Sequence, residues 1–350
     1  PNLTLPYWDY QTNPVIPPDW RANTAGNPLY HARSATMNAG GSLSSSIMTA
    51  IDNSLDNVSY YDFQSDLEGP HGSVHTAVGG ATGDMSSINK AAKDPVFWLH
   101  HANIDRLWEV WRKKCGGRAN PTTPATSDWM THVFTFFDET GAAVNMTGSQ
   151  VVSTAASLNY WYEVPSNVLC LTIYRPIFYK KYPILRLPDP GPVEIREGVI
   201  RKSFKNARID ELNSFMKNMN RKTFNFANTE KPDRLFIELE NVNISSLPDG
   251  VVEVYLNLGP NDPGGPNSKS FVGVLDLFSA SHKMAGMDMG KTLRINASKA
   301  ARNLGLSVAD LARAEVSFIV RGNSMQGREV KTSSSIIINK INFAVDLPEK

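Results

Sequence analysis

The chain has 350 residues, 41% hydrophobic and 20% charged, with 35 Lys plus Arg against 34 Asp plus Glu. This composition excludes a disordered tail and leaves no broad field to gather nucleic acid or an anionic membrane, so partners must be read from local sites. No apolar run approaches the roughly 20 residues needed to cross a bilayer, and a soluble globular protein of one large or two ordinary domains is expected.

The opening Pro1-Asn2-Leu3-Thr4-Leu5 has neither the charged nor the apolar part of a signal peptide, and no initiator Met precedes it. The expectation is a processed or truncated piece of a longer chain whose targeting signal is lost, leaving a plastid lumen or a secretory compartment both open. Cys115 and Cys170 cannot form a disulfide framework; one bridge or two free thiols are each compatible. The Asn-x-Ser/Thr triplets at Asn2, Asn57, Asn145, Asn243 and Asn296 carry little weight in a chain this rich in Asn, Ser and Thr.

From 1 to about 60, Pro, Gly, Asn and Ser break the pattern into long loops and short helices. A short helix is expected from His71 to Val78, with Pro70 at its first position and Gly79-Gly80 as its stop. The polar loop from Ala81 to Lys93 follows, and its Met85-Ser86-Ser87-Ile88-Asn89 segment is expected to shape access to the site. A stronger helix starts at the Asp94-Pro95 cap and runs through Phe97, Leu99, Ile104, Leu107, Trp108 and Trp111 to the basic end Arg112-Lys113-Lys114.

Beyond 165, Pro165, Pro176, Pro183, Pro188, Pro190 and Pro192 mark a linker, with one amphipathic helix near Ile209 to Met219. Strand-forming runs take over at Leu235–Ile237, Val251–Leu258, Phe271–Phe278, Leu293–Ile295, Val316–Val320 and Ile336–Ile338, separated by turns such as Pro248-Asp249-Gly250. The fold class is therefore α+β and multidomain: a mainly helical domain over 1–165, a Pro-rich linker over 166–232 and an all-β sandwich over 233–350.

The chemistry centres on histidines. His71 and His75, four residues apart, share one face of a helix, and His100-His101 sit near the start of a second helix that must fold back. Three imidazoles from two antiparallel helices can hold a first-row metal with a position left open. Asp105, one turn after His101, is placed to accept a ligand imidazole's N–H; a salt bridge with Arg106 or Arg112 is the alternative. His71-Gly72-Ser73-Val74-His75 lacks the Glu of a zinc-protease helix, so hydrolysis loses its base, and an all-imidazole set suits copper. His282-Lys283-Met284-Ala285-Gly286-Met287-Asp288-Met289 gathers three thioethers, which reads as methionines resting on a core more readily than as a Cu(I) site.

Gly69-Pro70-His71, His75 and the run Asp94-Pro95-Val96-Phe97-Trp98-Leu99-His100-His101-Ala102-Asn103-Ile104-Asp105-Arg106-Leu107-Trp108 resemble the copper B signature of the type-3 copper family of tyrosinases, catechol oxidases and polyphenol oxidases. Pro6-Tyr7-Trp8-Asp9-Tyr10 is similar to the stretch that follows that family's copper A site, and Asn27-Pro28-Leu29-Tyr30 also fits. The resemblance implies His71, His75 and His101 as copper ligands, His100, Asn103 and Asp105 in the shell behind them, and Phe97 packed against the ligand rings. It also implies a C-terminal β domain that covers the copper and keeps the enzyme latent. In the family an Asn after the first copper B histidine, with a nearby Glu, holds the water that deprotonates monophenols. Gly72 at that position points to a diphenol oxidase, and Glu68 is the candidate for the Glu.

The family's copper A histidines lie upstream of the Pro-Tyr-Trp-Asp stretch, and only five residues precede Pro6 here. His31, His132 and His282 are isolated and are not expected to replace them. The expected partners are a phenol, dioxygen and a separate N-terminal fragment carrying copper A, with no nucleic acid and no transmembrane segment. The expected reaction is oxidation of o-diphenols to o-quinones by the complete protein, while this chain alone binds about one copper and turns over poorly. The alternatives are a tyrosinase that also hydroxylates monophenols, an oxygen carrier of the haemocyanin kind, and a copper-binding fragment without turnover.

Overall fold

A computed structural model describes residues 5–114, 118, 120, 127–163, 185–204, 209–218, 225–226, 233–281 and 291–347. The chain forms two compact units, one from Pro1–Asn53, Asp66–Asn103 and Ile177–Lys350, the other from Ser54–Ser65 and Ile104–Pro176. Cys115, Cys170 and the methionine stretch at 282–290 lie outside the described residues. No helix of the described residues is long and apolar enough to cross a membrane.

Three helices matter for the site: α1 (Ser45–Leu55), α2 (Tyr60–Gly79) and α3 (Val96–Lys113). Helix α2 begins well before the expected start at His71, because Pro70 lies inside it. An interior proline forfeits one backbone bond and costs about 3 kcal/mol, a penalty offset by burying Leu67, Val74, Ala77 and Val78. The true start is a cap at Ser59, whose Oγ accepts the Asp62 N–H at 3.1 Å. Ser59→Ala is expected to cost about 1 kcal/mol, read as a lower urea midpoint with an unchanged slope.

The second unit is held by aromatic rings at this end of α2 and along α3. Phe63 stacks on Trp111 at 4.9 Å, and the Trp111 indole N–H donates to the Asn57 carbonyl at 2.7 Å. A hairpin of β1 (Val133–Phe137) and β2 (Ala143–Thr147) belongs to the same unit and was not read from the sequence.

In the first unit, β3 (Leu185–Ile195), β4 (Val199–Ser203), β5 (Arg234–Ser246), β6 (Gly250–Leu256), β7 (Phe271–Val274), β8 (Lys291–Asn296), β9 (Glu315–Gly322) and β10 (Ser335–Asp346) build two four-stranded sheets. Their orders are β3-β10-β5-β8 and β4-β9-β6-β7, antiparallel throughout. Between the sheets lies an apolar core that includes Phe204, Leu235, Ile237, Val252, Val254, Phe318, Ile341 and Phe343.

The sequence reads 166–232 as linker with one helix; α4 (Ile209–Asn218) is that helix, but β3 and β4 are strands of the sandwich. Pro188 and Pro190 sit in β3 opposite Asn342 and Lys340, at the edge of the sheet, where a missing N–H costs no ladder bond to an outer neighbour. Among the described residues, the prolines at 188, 190 and 192 therefore mark an edge strand; Pro165, Pro176 and Pro183 lie outside the described residues.

Strand β6 is buried along its whole length. Its Glu253 is compensated: Arg321 Nε donates to it at 3.0 Å, and the hydroxyls of Ser46 on α1 and of Tyr255 also donate. Further polar bonds tie sheet to helices: Thr36 to Asp249 at 2.9 Å, Asn323 Nδ2 to the Ala77 carbonyl at 2.9 Å, and Ser73 Oγ to the Leu275 carbonyl at 3.2 Å.

Candidate metal centre

His71, His75, His100 and His101 form one group whose ligand atoms all lie within 4.8 Å of one another. The i, i+4 spacing on α2 puts the first two on one face, and the first turns of α3 supply the others. Helix α3 is set by Asp94, which accepts the Val96 N–H at 2.9 Å as its N-cap and pairs with the fully buried Arg33.

Hydrogen bonds fix which nitrogens face inward. His75 Nδ1 donates to the Met85 carbonyl at 3.0 Å, so the proton is on Nδ1 and Nε2 carries the lone pair. His71 Nδ1 lies 3.1 Å from Glu68 Oε2, and that bond holds the Glu68 carboxyl below its usual range, an ionised acceptor. His71 Nε2 is thereby left buried with no partner. His75 Nε2 stands 3.2 Å from His101 Nε2, a spacing at which two imidazoles share a proton or a metal ion. Both ring nitrogens of His100, fully buried, also lack partners.

Burial pushes the imidazoles toward neutrality. His75 is driven down to about 2 by desolvation and by the neighbouring His71 and His101. His101 falls to about 4 through desolvation and His71, with Glu68 opposing, and His100 is held well below its ordinary value chiefly by desolvation. Neutral rings with orphaned inward nitrogens are what a metal needs, and a donor set of imidazoles without thiolate fits copper.

The surrounding residues fall into two groups. Phe97 stacks on His101 with ring centroids 4.1 Å apart, Asn103 is buried on α3, and Gly72 is one residue from His71. Asp105 departs from expectation: its Oδ2 accepts the hydroxyls of Tyr160 at 2.6 Å and Tyr162 at 2.8 Å instead of an imidazole N–H. Two phenol donors at one end of the second unit outcompete a single ring one turn away. His31 pairs with Asp84 at 3.0 Å and His132 lies edge-on to Phe134, so neither joins the group; His282 is outside the described residues.

Two contributors were missed by sequence reading. The Met85 carbonyl orients His75, and Phe278 lies flat on the His75 ring, centroids 3.9 Å apart and planes within 5°. The run Phe271–Phe278 reads as one strand, but β7 stops at Val274 and a helical turn, α5 (Leu277–Ala280), follows. Asp276 caps it by accepting the Ser279 N–H at 3.0 Å, and this Asp-x-x-Ser spacing was the available signal.

The four imidazoles, two of them buried and two half-buried, form a group that could hold a metal ion. Residues 20–114 match the common central domain of tyrosinase and residues 124–168 the polyphenol oxidase middle domain, so over these residues the chain is similar to the tyrosinase and polyphenol oxidase family, whose members bind copper. It is 46% identical over 85 residues to a tyrosinase of Hahella sp., covering 24% of this chain and 17% of that protein. It is 35% identical over 98 residues to the latent chloroplastic polyphenol oxidase of Prunus armeniaca, 27% and 16% of the two chains. Haemocyanin 1 of Megathura crenulata matches at 31% over 137 residues, 34% of this chain and 4% of that one. The matched segments thus span about a sixth of the length of the first two relatives. In fold, the chain is similar to latent aurone synthase, a polyphenol oxidase, with TM-score 0.60 at 17% identity, covering 99% of this chain and 72% of that one.

Proposed function

We propose that His71, His75 and His101 hold one copper ion of a phenol-oxidising centre, and that the complete protein converts o-diphenols to o-quinones with dioxygen as electron acceptor. The observation that supports this reading is the grouping of His71, His75, His100 and His101, with His71 and His75 engaged through Nδ1 and His75 Nε2 3.2 Å from His101 Nε2. Copper bound there supplies the one-electron chemistry and the affinity for dioxygen. The protein's part is to hold and orient: Glu68 and the Met85 carbonyl keep protons on the outer nitrogens, and Phe97 braces His101. The face of His75 covered by Phe278 accepts a flat aromatic ring, which supports a phenol as substrate once that side chain withdraws.

The diphenol preference rests on Gly72, which offers no side-chain amide beside the first ligand. A second reading, a covered site that binds dioxygen without turnover, is favoured by the Phe278 stack. Copper content measured on the folded chain and on His75→Ala and His101→Ala tests the assignment. About one copper in the parent, and at least a tenfold loss of affinity in each variant, is expected from removing one of three ligands. Unchanged copper content in either variant defeats it. Catechol and monophenol turnover by the complete protein then separates oxidase, tyrosinase and carrier.

A further inference from the structure

We propose that Gly72 is the seat of the β sandwich's capping turn: the closed position of Asp276 and Phe278 over the histidines requires that residue 72 have no side chain. This rests on the reading of the histidine group as the functional site, and concerns how access to it is controlled.

The capping turn lies directly on α2. Ser73 Oγ bonds the Leu275 carbonyl, a Cβ at Gly69 would come 2.8 Å from the Val274 carbonyl oxygen, and Phe278 covers His75. The tightest approach is at Gly72, where a Cβ would collide with Asp276 Oδ1, stand 2.8 Å from its Cγ and 3.3 Å from the Phe278 Cβ. Asp276 cannot swing aside cheaply. Its carboxylate accepts both the backbone N–H and the hydroxyl of Ser279, which holds the turn that presents Phe278.

The glycine has no backbone reason to be there. Gly72 sits in the middle of a helix and is not among the residues with positive φ, so an alanine fits the backbone and is favoured in a helix interior by roughly 1 kcal/mol. Helix propensity and capping therefore make opposite predictions for one substitution. A side chain at 72 should strengthen α2 and evict the turn, which frees the face of His75.

The experiment compares the full metal-free chain with Gly72→Ala, Asp276→Ala and the double variant, so that failure to bind copper leaves it interpretable. Amide exchange over 275–281 and carbethoxylation of His75 by diethyl pyrocarbonate are followed by mass spectrometry, with exchange over β5 and β10 as the folding control. In Gly72→Ala, exchange in the turn and His75 modification should each rise at least tenfold while β5 and β10 stay protected. In the double variant the Oδ1 and Cγ collisions are gone, so its turn exchange and His75 modification should match those of Asp276→Ala, which has lost the cap alone. Parent-like protection in Gly72→Ala overturns the proposal, as does a double variant at least tenfold more open than Asp276→Ala. Should Gly72→Ala lose β5 and β10 protection as well, Gly72→Ser replaces it; general unfolding in both variants also overturns the proposal, because a seat for one turn should not govern the sandwich.

Discussion

Replacing Arg33 with alanine is expected to destabilise the first unit by about 3–5 kcal/mol, the range found when one partner of a buried ion pair is removed. Both side chains of the Arg33–Asp94 pair are fully buried. The guanidinium donates through Nε to Asp94 Oδ2 at 2.7 Å and through Nη2 to Oδ1 at 2.8 Å, and it also donates to the carbonyls of Trp20 at 2.6 Å and Leu29 at 3.1 Å. One side chain thus ties the loop before α1 to the start of α3. Without it, a buried carboxylate is left uncompensated at the cap of the helix that carries His100 and His101. Urea unfolding of Arg33→Ala should show the loss, and Arg33→Met combined with Asp94→Asn, which removes both charges and keeps a capping oxygen, should recover a good part of it. A loss below about 1 kcal/mol in the single variant would show that the pair contributes little.

Acid is expected to unfold the metal-free protein through the histidine group. In the unfolded chain each imidazole takes up a proton near its ordinary value of 6.5, whereas folded His75 resists until about 2 and His101 until about 4. The folded values are depressed, so the unfolded state binds more protons between them, and stability falls as pH drops below 6.5. Each full unit of difference is worth about 1.4 kcal/mol per group, so between pH 6.5 and 4 the loss should reach several kcal/mol. The check is a series of urea midpoints from pH 7.5 to 4.5. The parent should lose stability steeply below 6.5, and His75→Leu should flatten that slope by about one proton. Equal slopes would mean that these rings are not held neutral by the fold.

The chemical identity of the site was legible in the chain alone because metal ligation is a local code. Two histidines at helical spacing and an adjacent pair after a capped Asp-Pro start suffice to bring imidazoles together once two helices pack. Alternating β-branched runs likewise announced most of the sandwich, since burial on one face imposes a period of two that needs no partner to be seen. What alternation could not reveal was where a strand becomes edge or turn. Pro188 and Pro190 look like linker until β10 pairs with them from one side only, and Phe278 looks like the end of a strand until Asp276 caps a turn.

Tertiary structure decided the rest, because it depends on which surfaces meet. Asp105 had two chemically reasonable partners along its own helix and took the hydroxyls of Tyr160 and Tyr162, more than 50 residues away, at a half-buried position. The tautomer of His75 was set by the carbonyl of Met85, a backbone group that carries no side-chain signature. Gly72, readable from sequence only as a missing side chain, gained its physical meaning from Asp276, 204 positions further on by their numbering. Residue types determined which metal this protein can hold; packing across long sequence separations determined what covers it.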